Sequence, residues 1–438
     1  MTTRRSVLAA GALDAWGCAT RAPSPGFVSV RDGVLMADGA PYRFVGANLW
    51  YGAYLGASAP YGDAPRLRRE LDRLAGLGVN NLRVLGSAEV SPLRNSLAIG
   101  FRDRAPPYNE TLLRGLDLLL AEMGARRMRA VIYLSNFWEW SGGFATYVYW
   151  TNGGQFINAN DPAHPWPAFA DFSAQFYKSG EAVALYRDYV RAVVTRTNSV
   201  TGIAYRDDPA IMSWQLANEP RPGGSDDSIA ANMEAYQNWI AETAQLIRSL
   251  DGAHLVSAGS EGLAGCGVSP ACVRDAHAHV DYLTAHIWPQ NWGWADPNDL
   301  VGTFSAVETN VNTYIDLHTG YARELGKPLI IEEFGFPRDL VSYAPGSSTT
   351  LRDRFYALIQ SQVAASVRAG GPLCGSNFWA WGGEGRAQHA DFRMQPQDTR
   401  FVGDPPHEPQ GWYSVFDSDE STIAAIRAHA RELAAAPG

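Results

Sequence analysis

What most constrains the fold of this 438-residue chain is a rhythm: short apolar runs, rich in β-branched residues, alternate eight times with longer amphipathic stretches. Short runs with period two or no period read as strands, and stretches with apolar residues three and four apart read as helices. The strands fall at 42–48, 80–86, 129–136, from Ile211, at 254–260, 281–287, from Pro328, and at 376–381. Helices are expected at 64–77, 110–127, 181–197, 228–250, 270–277, 305–325, 350–369 and 421–435. Strict alternation predicts a parallel sheet sheathed by helices, and eight units close most naturally as an α/β fold, a single (β/α)8 TIM barrel with long βα loops around a cleft. A doubly wound open sheet is the alternative, but no glycine-rich phosphate loop follows the first strand. With no internal repeat and no low-complexity linker, residues 26–438 read as one domain behind an N-terminal segment, 1–25.

Composition narrows the class of partner. Hydrophobic residues make up 46% and charged residues 18%, which suits a large, well-buried enzyme. A net charge of -9 repels polyanions such as nucleic acid, but not a neutral polymer. The 14 tryptophans and 19 tyrosines pack the core and also offer flat faces to sugar rings. Of four cysteines, Cys266 and Cys272 share a glycine-rich loop where a small disulfide can close, Cys374 reads as a buried thiol, and Cys18 follows Gly17 near the N-terminus. Arg4-Arg5 before a short apolar segment resembles a bacterial twin-arginine export leader, with Cys18 as a point of lipid attachment, although Asp14 and Trp16 fit that pattern poorly. The expectation is an exported monomer, periplasmic, extracellular or lipid-anchored. No other segment approaches the roughly 18 apolar residues that cross a bilayer.

Catalytic groups of a barrel gather at the carboxyl ends of its strands. Those ends offer Asn48, Arg83, Asn136, Asn218 with Glu219, Ser260 with Glu261, His286, Glu333 and Trp379. The set holds acids, hydrogen-bonding groups and aromatics, and no cluster at metal-ligand spacing, so neither metal nor cofactor is expected. Two carboxyls from strands four and seven are what glycosidic cleavage requires: one protonated to help the leaving oxygen depart, one ionised to attack the anomeric carbon or activate water. At the seventh strand Glu332 and Glu333 are neighbours. Alternation sends them to opposite faces without choosing between them, and the other acid is expected to pair with a basic group behind the strand.

Asn218-Glu219-Pro220, Glu333-Phe334-Gly335, Arg83 in Asn-Leu-Arg-Val and His286 together resemble glycoside hydrolase family five. The stretch 134–143, with Asn136 and Trp138, and His286-Ile287-Trp288-Pro289-Gln290-Asn291-Trp292 resemble its mannanase branch. The likeness runs from about Phe27 to the last helix. It implies a retaining hydrolase of β-1,4-linked mannosides, an endo-mannanase or an exo-acting β-mannosidase, acting on mannan, glucomannan or manno-oligosaccharides. Glu219 would be the acid/base, Glu333 the nucleophile, Asn218 the grip on the sugar 2-hydroxyl, Arg83 a support beneath the nucleophile, His286 a partner of the acid/base, and Trp379 the floor. One departure stands out: most relatives carry tyrosine where this chain has Trp288, a substitution that recurs among exo-acting relatives. A cellulase-type glucanase and a non-catalytic sugar-binding barrel are the competing readings.

Three further expectations concern the loops. The stretch 139–166, with Tyr147, Tyr149, Trp150 and Trp166, is long enough to contact substrate. Glu384 lines the cleft and holds a sugar hydroxyl, or pairs with Arg386, and both it and Glu261 are placed to shorten the cleft at one end. Asp417-Ser418-Asp419-Glu420 reads as a helix start rather than a calcium loop.

Overall fold

The computed structural model describes residues 26–436 and is built on eight parallel strands. They are β1 (Phe44–Asn48), β2 (Asn81–Leu85), β3 (Arg129–Tyr133), β4 (Ile211–Gln215), β5 (Leu255–Ser257), β6 (Leu283–Ile287), β7 (Leu329–Phe334) and β8 (Leu373–Phe378). Apart from Arg129 every residue in them is buried, as strands require when side chains fill the barrel on one face and meet helices on the other. The hydrogen-bonded order is β5-β4-β3-β2-β1-β8-β7-β6. This consecutive circle, with no reversal of strand order, is that of a (β/α)8 barrel and not of an open sheet. The seam between β5 and β6 is closed by single bonds: Asp281 N to Val256 O at 2.8 Å, Thr284 Oγ1 to Ser260 O at 2.8 Å, and His286 N to Glu261 O at 3.1 Å.

The surrounding helices follow the sequence periodicity closely, because their ends carry local signals. Asp63 caps Ala64–Leu77 by accepting from Arg66 N, and Gly78 ends it. Ser225 and Asp299 cap Asp226–Leu250 and Leu300–Leu325 in the same way. Asp419 precedes Glu420–Ala435, the helix expected to start there.

Three features depart from the expected layout. The eighth strand starts three residues early, since Trp381–Gly383 leaves the barrel to pair with Val415–Phe416. The long aromatic stretch contains the helices Gly143–Thr151 and Ala168–Ser173. An antiparallel meander of Val28–Arg31, Val34–Ala37 and Ala40–Pro41 precedes β1, and its Val28 and Leu35 pack with Phe44, Met212 and Ile330 at the floor of the barrel.

Cys266 and Cys272 form a disulfide. Cys374 is a free thiol in the floor cluster, where burial pushes it up to about 12. No helix among the described residues is long and apolar enough to cross a membrane. The twin-arginine segment and Cys18 lie outside the described residues.

Candidate active site

At the end of β4 the backbone is pinned from both sides: Asn218 N donates to Ser135 O, and Glu219 N to Gly259 O, each at 2.9 Å. Gly259 has φ +78, and a Cβ there would stand 1.9 Å from Ala217 O, so only glycine lets the β5 end come this close. Glu219 itself is held at φ 50, a left-handed conformation that costs a non-glycine residue about 1 kcal/mol or more. Such strain persists where surrounding bonds over-determine it, and it turns this carboxylate into the barrel mouth.

The β7 end resolves the two neighbouring acids in an unexpected way. Register with β6 jumps from Ile331 opposite Ala285 to Glu333 opposite His286, a bulge at Glu332 that breaks the two-residue alternation. Glu332 and Glu333 therefore both reach Arg83, and the expectation of opposite faces is corrected. Glu332 lies deeper, accepting from Gln215 Nε2 at 2.7 Å and Tyr282 Oη at 3.3 Å, with Arg83 Nε 3.8 Å away. Glu333 bonds Arg83 Nη1 directly and opens to the cleft.

Arg83 is fully buried and four of its five N–H donors are bonded. Besides Glu333 it bonds Gln215 Oε1 at 2.8 Å, Asn48 Oδ1 at 3.2 Å and Asn218 Oδ1 at 2.7 Å, over the ring of Tyr133. His286 Nδ1 lies 2.6 Å from Glu219 Oε1 and 3.3 Å from Glu333 Oε2. One atom from each of these three side chains falls within 4.8 Å of the others, close to the roughly 5–5.5 Å separation of a retaining carboxyl pair.

The proton sits where the charges put it. Burial pushes the Glu219 carboxyl above the usual range, against the pull of the Arg221 charge and of the Trp138 indole N–H bonded to Oε2. Burial also raises Glu333, opposed by Arg83 and reinforced by the Glu219 charge. Carboxyls this close titrate as a unit and share a proton. Arg83 bonds Glu333 and not Glu219, and this contact favours the ionised form on Glu333. Burial and the Arg83 charge push His286 well below its ordinary value, so its ring is neutral. The site thus brings two buried carboxyls together, one of them on Arg83.

Around this pair is a cavity of about 620 Å³. Trp379, 3% exposed, lies in it with Trp288 edge-on at 6.0 Å. The glycine of Glu333-Phe334-Gly335 makes room for that indole, since a Cβ at Gly335 would stand 2.7 Å from Trp288 Cζ3. Glu261 is buried against Arg221, 2.5 Å away, and burial pushes its carboxyl up to about 7.

Two expected contacts are displaced. Asn136 does not line the cavity: its Oδ1 accepts from Asn218 Nδ2 at 3.1 Å and its Nδ2 donates to Ser141 Oγ, so it orients Asn218 from behind. Glu384 points away, bonded to Arg69 and, at 2.8 Å, to Arg73 on the neighbouring helix, which hold its carboxyl down at about 2. Arg386 pairs instead with Asp417 at 2.6 Å. Replacing Glu384 with Gln should change kcat/KM on a mannoside by less than about twofold and cost about 0.5–1 kcal/mol of stability after solvent screening, read by urea titration.

Beyond Glu139 and Trp140, which the stretch 139–166 covered, sequence reasoning missed Arg221, His407, Glu408 and Trp412 among the cavity residues. A signal existed for the last three, since the stretch from Glu384 to Ser414 is too long for a plain connection. Of the aromatics singled out in 139–166, Tyr147 and Trp150 are buried against Arg102, and Trp166 faces the cavity.

A model of GH family 5 beta-mannosidase-like proteins matches residues 25–437. The chain belongs to this family. A crystal structure of the glycoside hydrolase family 5 mannosidase from Rhizomucor miehei superimposes on this family 5 enzyme with TM-score 0.84 and 34% identity, covering 93% of this chain and 98% of the other. Mannan endo-1,4-beta-mannosidase 4 of Oryza sativa subsp. japonica is 29% identical over 82% of this chain and 74% of its own length. Mannan endo-1,4-beta-mannosidase 1 of Arabidopsis thaliana is 28% identical over 81% of each. The family 5 enzyme is a glycoside hydrolase on a TIM barrel.

Proposed function

We propose that this family 5 hydrolase cleaves β-1,4-mannosidic bonds with retention, releasing single mannose units from the non-reducing ends of manno-oligosaccharides and mannan. Glu333 attacks the anomeric carbon while Glu219 protonates the departing glycosidic oxygen. Glu219, now a carboxylate, then takes a proton from the water that hydrolyses the glycosyl-enzyme. Asn218, fixed by Asn136 and Arg83, is placed to hold the 2-hydroxyl, and Trp379 lies beneath the sugar being transferred. The names of the plant and fungal relatives support a mannose substrate. The twin-arginine segment supports export, and we assign the catalytic domain to 26–438, acting as a monomer.

The observation that supports exo action is a cluster lining the cavity beside Trp379. There Glu139, after β3, bonds His407, after β8, at 3.2 Å, with Glu408 next in chain. Trp140 packs between them, 6.3 Å from Trp379 and 6.4 Å from His407. Burial pulls the His407 pKa down, but the charge and hydrogen bond of Glu139 together with the charges of Glu408 and Glu219 outweigh it and raise the value, which favours the charged imidazolium. We read this cluster as a wall against a second sugar on the donor side. A time course on mannopentaose should show mannose and mannotetraose alone from the first minutes. Early mannobiose and mannotriose would mean an open cleft and endo cleavage.

A further inference from the structure

We infer that Trp166 forms a separate aromatic platform for the second sugar beyond the cleaved bond, on the leaving-group side, so that the enzyme selects its substrate by length. This rests on the reading of the site as a mannosidase and adds a subsite to it. Trp166 is 62% exposed, the one tryptophan among the exposed large apolar side chains of the described residues. An indole left open to water at the rim of a sugar-sized cavity is a surface awaiting an apolar face.

Its position is fixed from two directions. Pro167 packs on Gly224, where a Cβ would meet the proline Cβ at 2.7 Å. Asp171, in the helix Ala168–Ser173, accepts from Gly224 N at 2.8 Å, Ser225 N at 2.9 Å and Ser225 Oγ at 2.7 Å. This ties the indole to the loop that leaves Glu219-Pro220. At the far end, Asn158 Oδ1 accepts from Arg94 N at 2.7 Å, and His164 N closes a turn onto Asp161 O at 2.8 Å. A ring presented from a braced segment loses little freedom when a ligand settles on it.

Direction follows from the proton. Trp138 bonds the carboxyl of Glu219 that must face the leaving oxygen, and the donor floor at Trp379 lies beside Trp140, in the cluster with Glu139 and His407. Trp166 continues outward from Trp138, with ring centres 6.3 Å apart and planes 30° from parallel. The Arg221 guanidinium stands 5.0 Å from the Trp138 ring and 5.8 Å from that of Trp166. The first sugar of the leaving group therefore meets Trp138 and Arg221, and the next lies against Trp166. The ligand that fits is a neutral pyranose offering its apolar face, carried on a β-1,4 chain.

The test is the dependence of kcat/KM on chain length, from mannobiose through mannotriose to mannotetraose, for the wild type, Trp166→Ala and Trp166→Phe. The wild type should gain on passing from mannobiose to mannotriose, and Trp166→Ala should lose most of that gain, roughly tenfold, through KM rather than kcat. Trp166→Phe, which keeps a flat ring, should restore most of it. An equal proportional loss on mannobiose and mannotriose, or no loss on either, overturns the inference. The reaction assignment is read separately: a wild type inert toward mannobiose, mannotriose and mannotetraose alike defeats that assignment, whereas hydrolysis with no gain in length defeats only the platform.

Discussion

Replacing Glu219 with Gln is expected to lower hydrolysis of mannobiose by about 10²–10⁴-fold while leaving an activated aryl β-mannoside able to load the enzyme. A sugar leaving group needs a proton in the transition state; an aryloxide of low basicity does not. The amide occupies the same space beside Trp138 and His286, so the loss reports proton transfer and not a collapsed site. Loading followed by a stall is the expected signature, because the second step needs Glu219 again as the base toward water. The pH profile supplies a second readout. Burial raises the Glu219 pKa, so its acid form persists above the usual carboxylate range and is lost as pH rises through that raised value. Wild-type kcat/KM on mannobiose should fall along that alkaline limb. The limb should vanish from the loading step of the Gln variant, which has no proton to lose. Normal mannobiose hydrolysis by this variant would remove Glu219 from its role.

Most of the scaffold that presents Glu219 was legible, because helix and strand periods are local properties of sequence. Ala64–Leu77 and Asp226–Leu250 are marked by caps as well as by period. The strand ends carrying Asn218, His286 and Trp379 were legible for a different reason: in a barrel every strand delivers its last residues to one face. What failed was whatever depends on a partner far along the chain. Glu384 reads as a cleft acid until Arg69 and Arg73, some three hundred residues earlier in order of magnitude, claim it. Asn136 reads as a sugar contact until Asn218 takes its carbonyl oxygen. His407 and Glu408 sit in irregular chain without a period, and only the fold brings them against Glu139. The bulge at Glu332 is invisible for a further reason, since a single extra residue changes which face a side chain takes without changing composition.

That bulge decides what the second large effect should look like. Glu333→Ala is expected to abolish turnover, by about 10⁵-fold or more on any β-mannoside, since no carboxylate remains to form the glycosyl-enzyme. Added azide, small enough to fill the vacated space, should then restore reaction of an activated aryl mannoside and give the product of inverted configuration. Glu332→Ala should behave differently, although both carboxylates address Arg83. It leaves one N–H of Gln215 Nε2 without its acceptor in a buried place, while Tyr282 Oη turns to Ser213 Oγ at 3.0 Å, and the loss costs about 1–3 kcal/mol of stability. Arg83 keeps its bonds to Glu333, Asn48 and Asn218, so the nucleophile keeps its charge and its aim. The expected phenotype is a protein that unfolds at lower urea but retains measurable chemistry, with no response to azide. Full activity in Glu333→Ala together with azide rescue of Glu332→Ala would exchange the two roles. Such a result would mean that the deeper acid reaches the sugar, which the present geometry forbids because Glu332 lies beneath Arg83 and only Glu333 opens into the cavity.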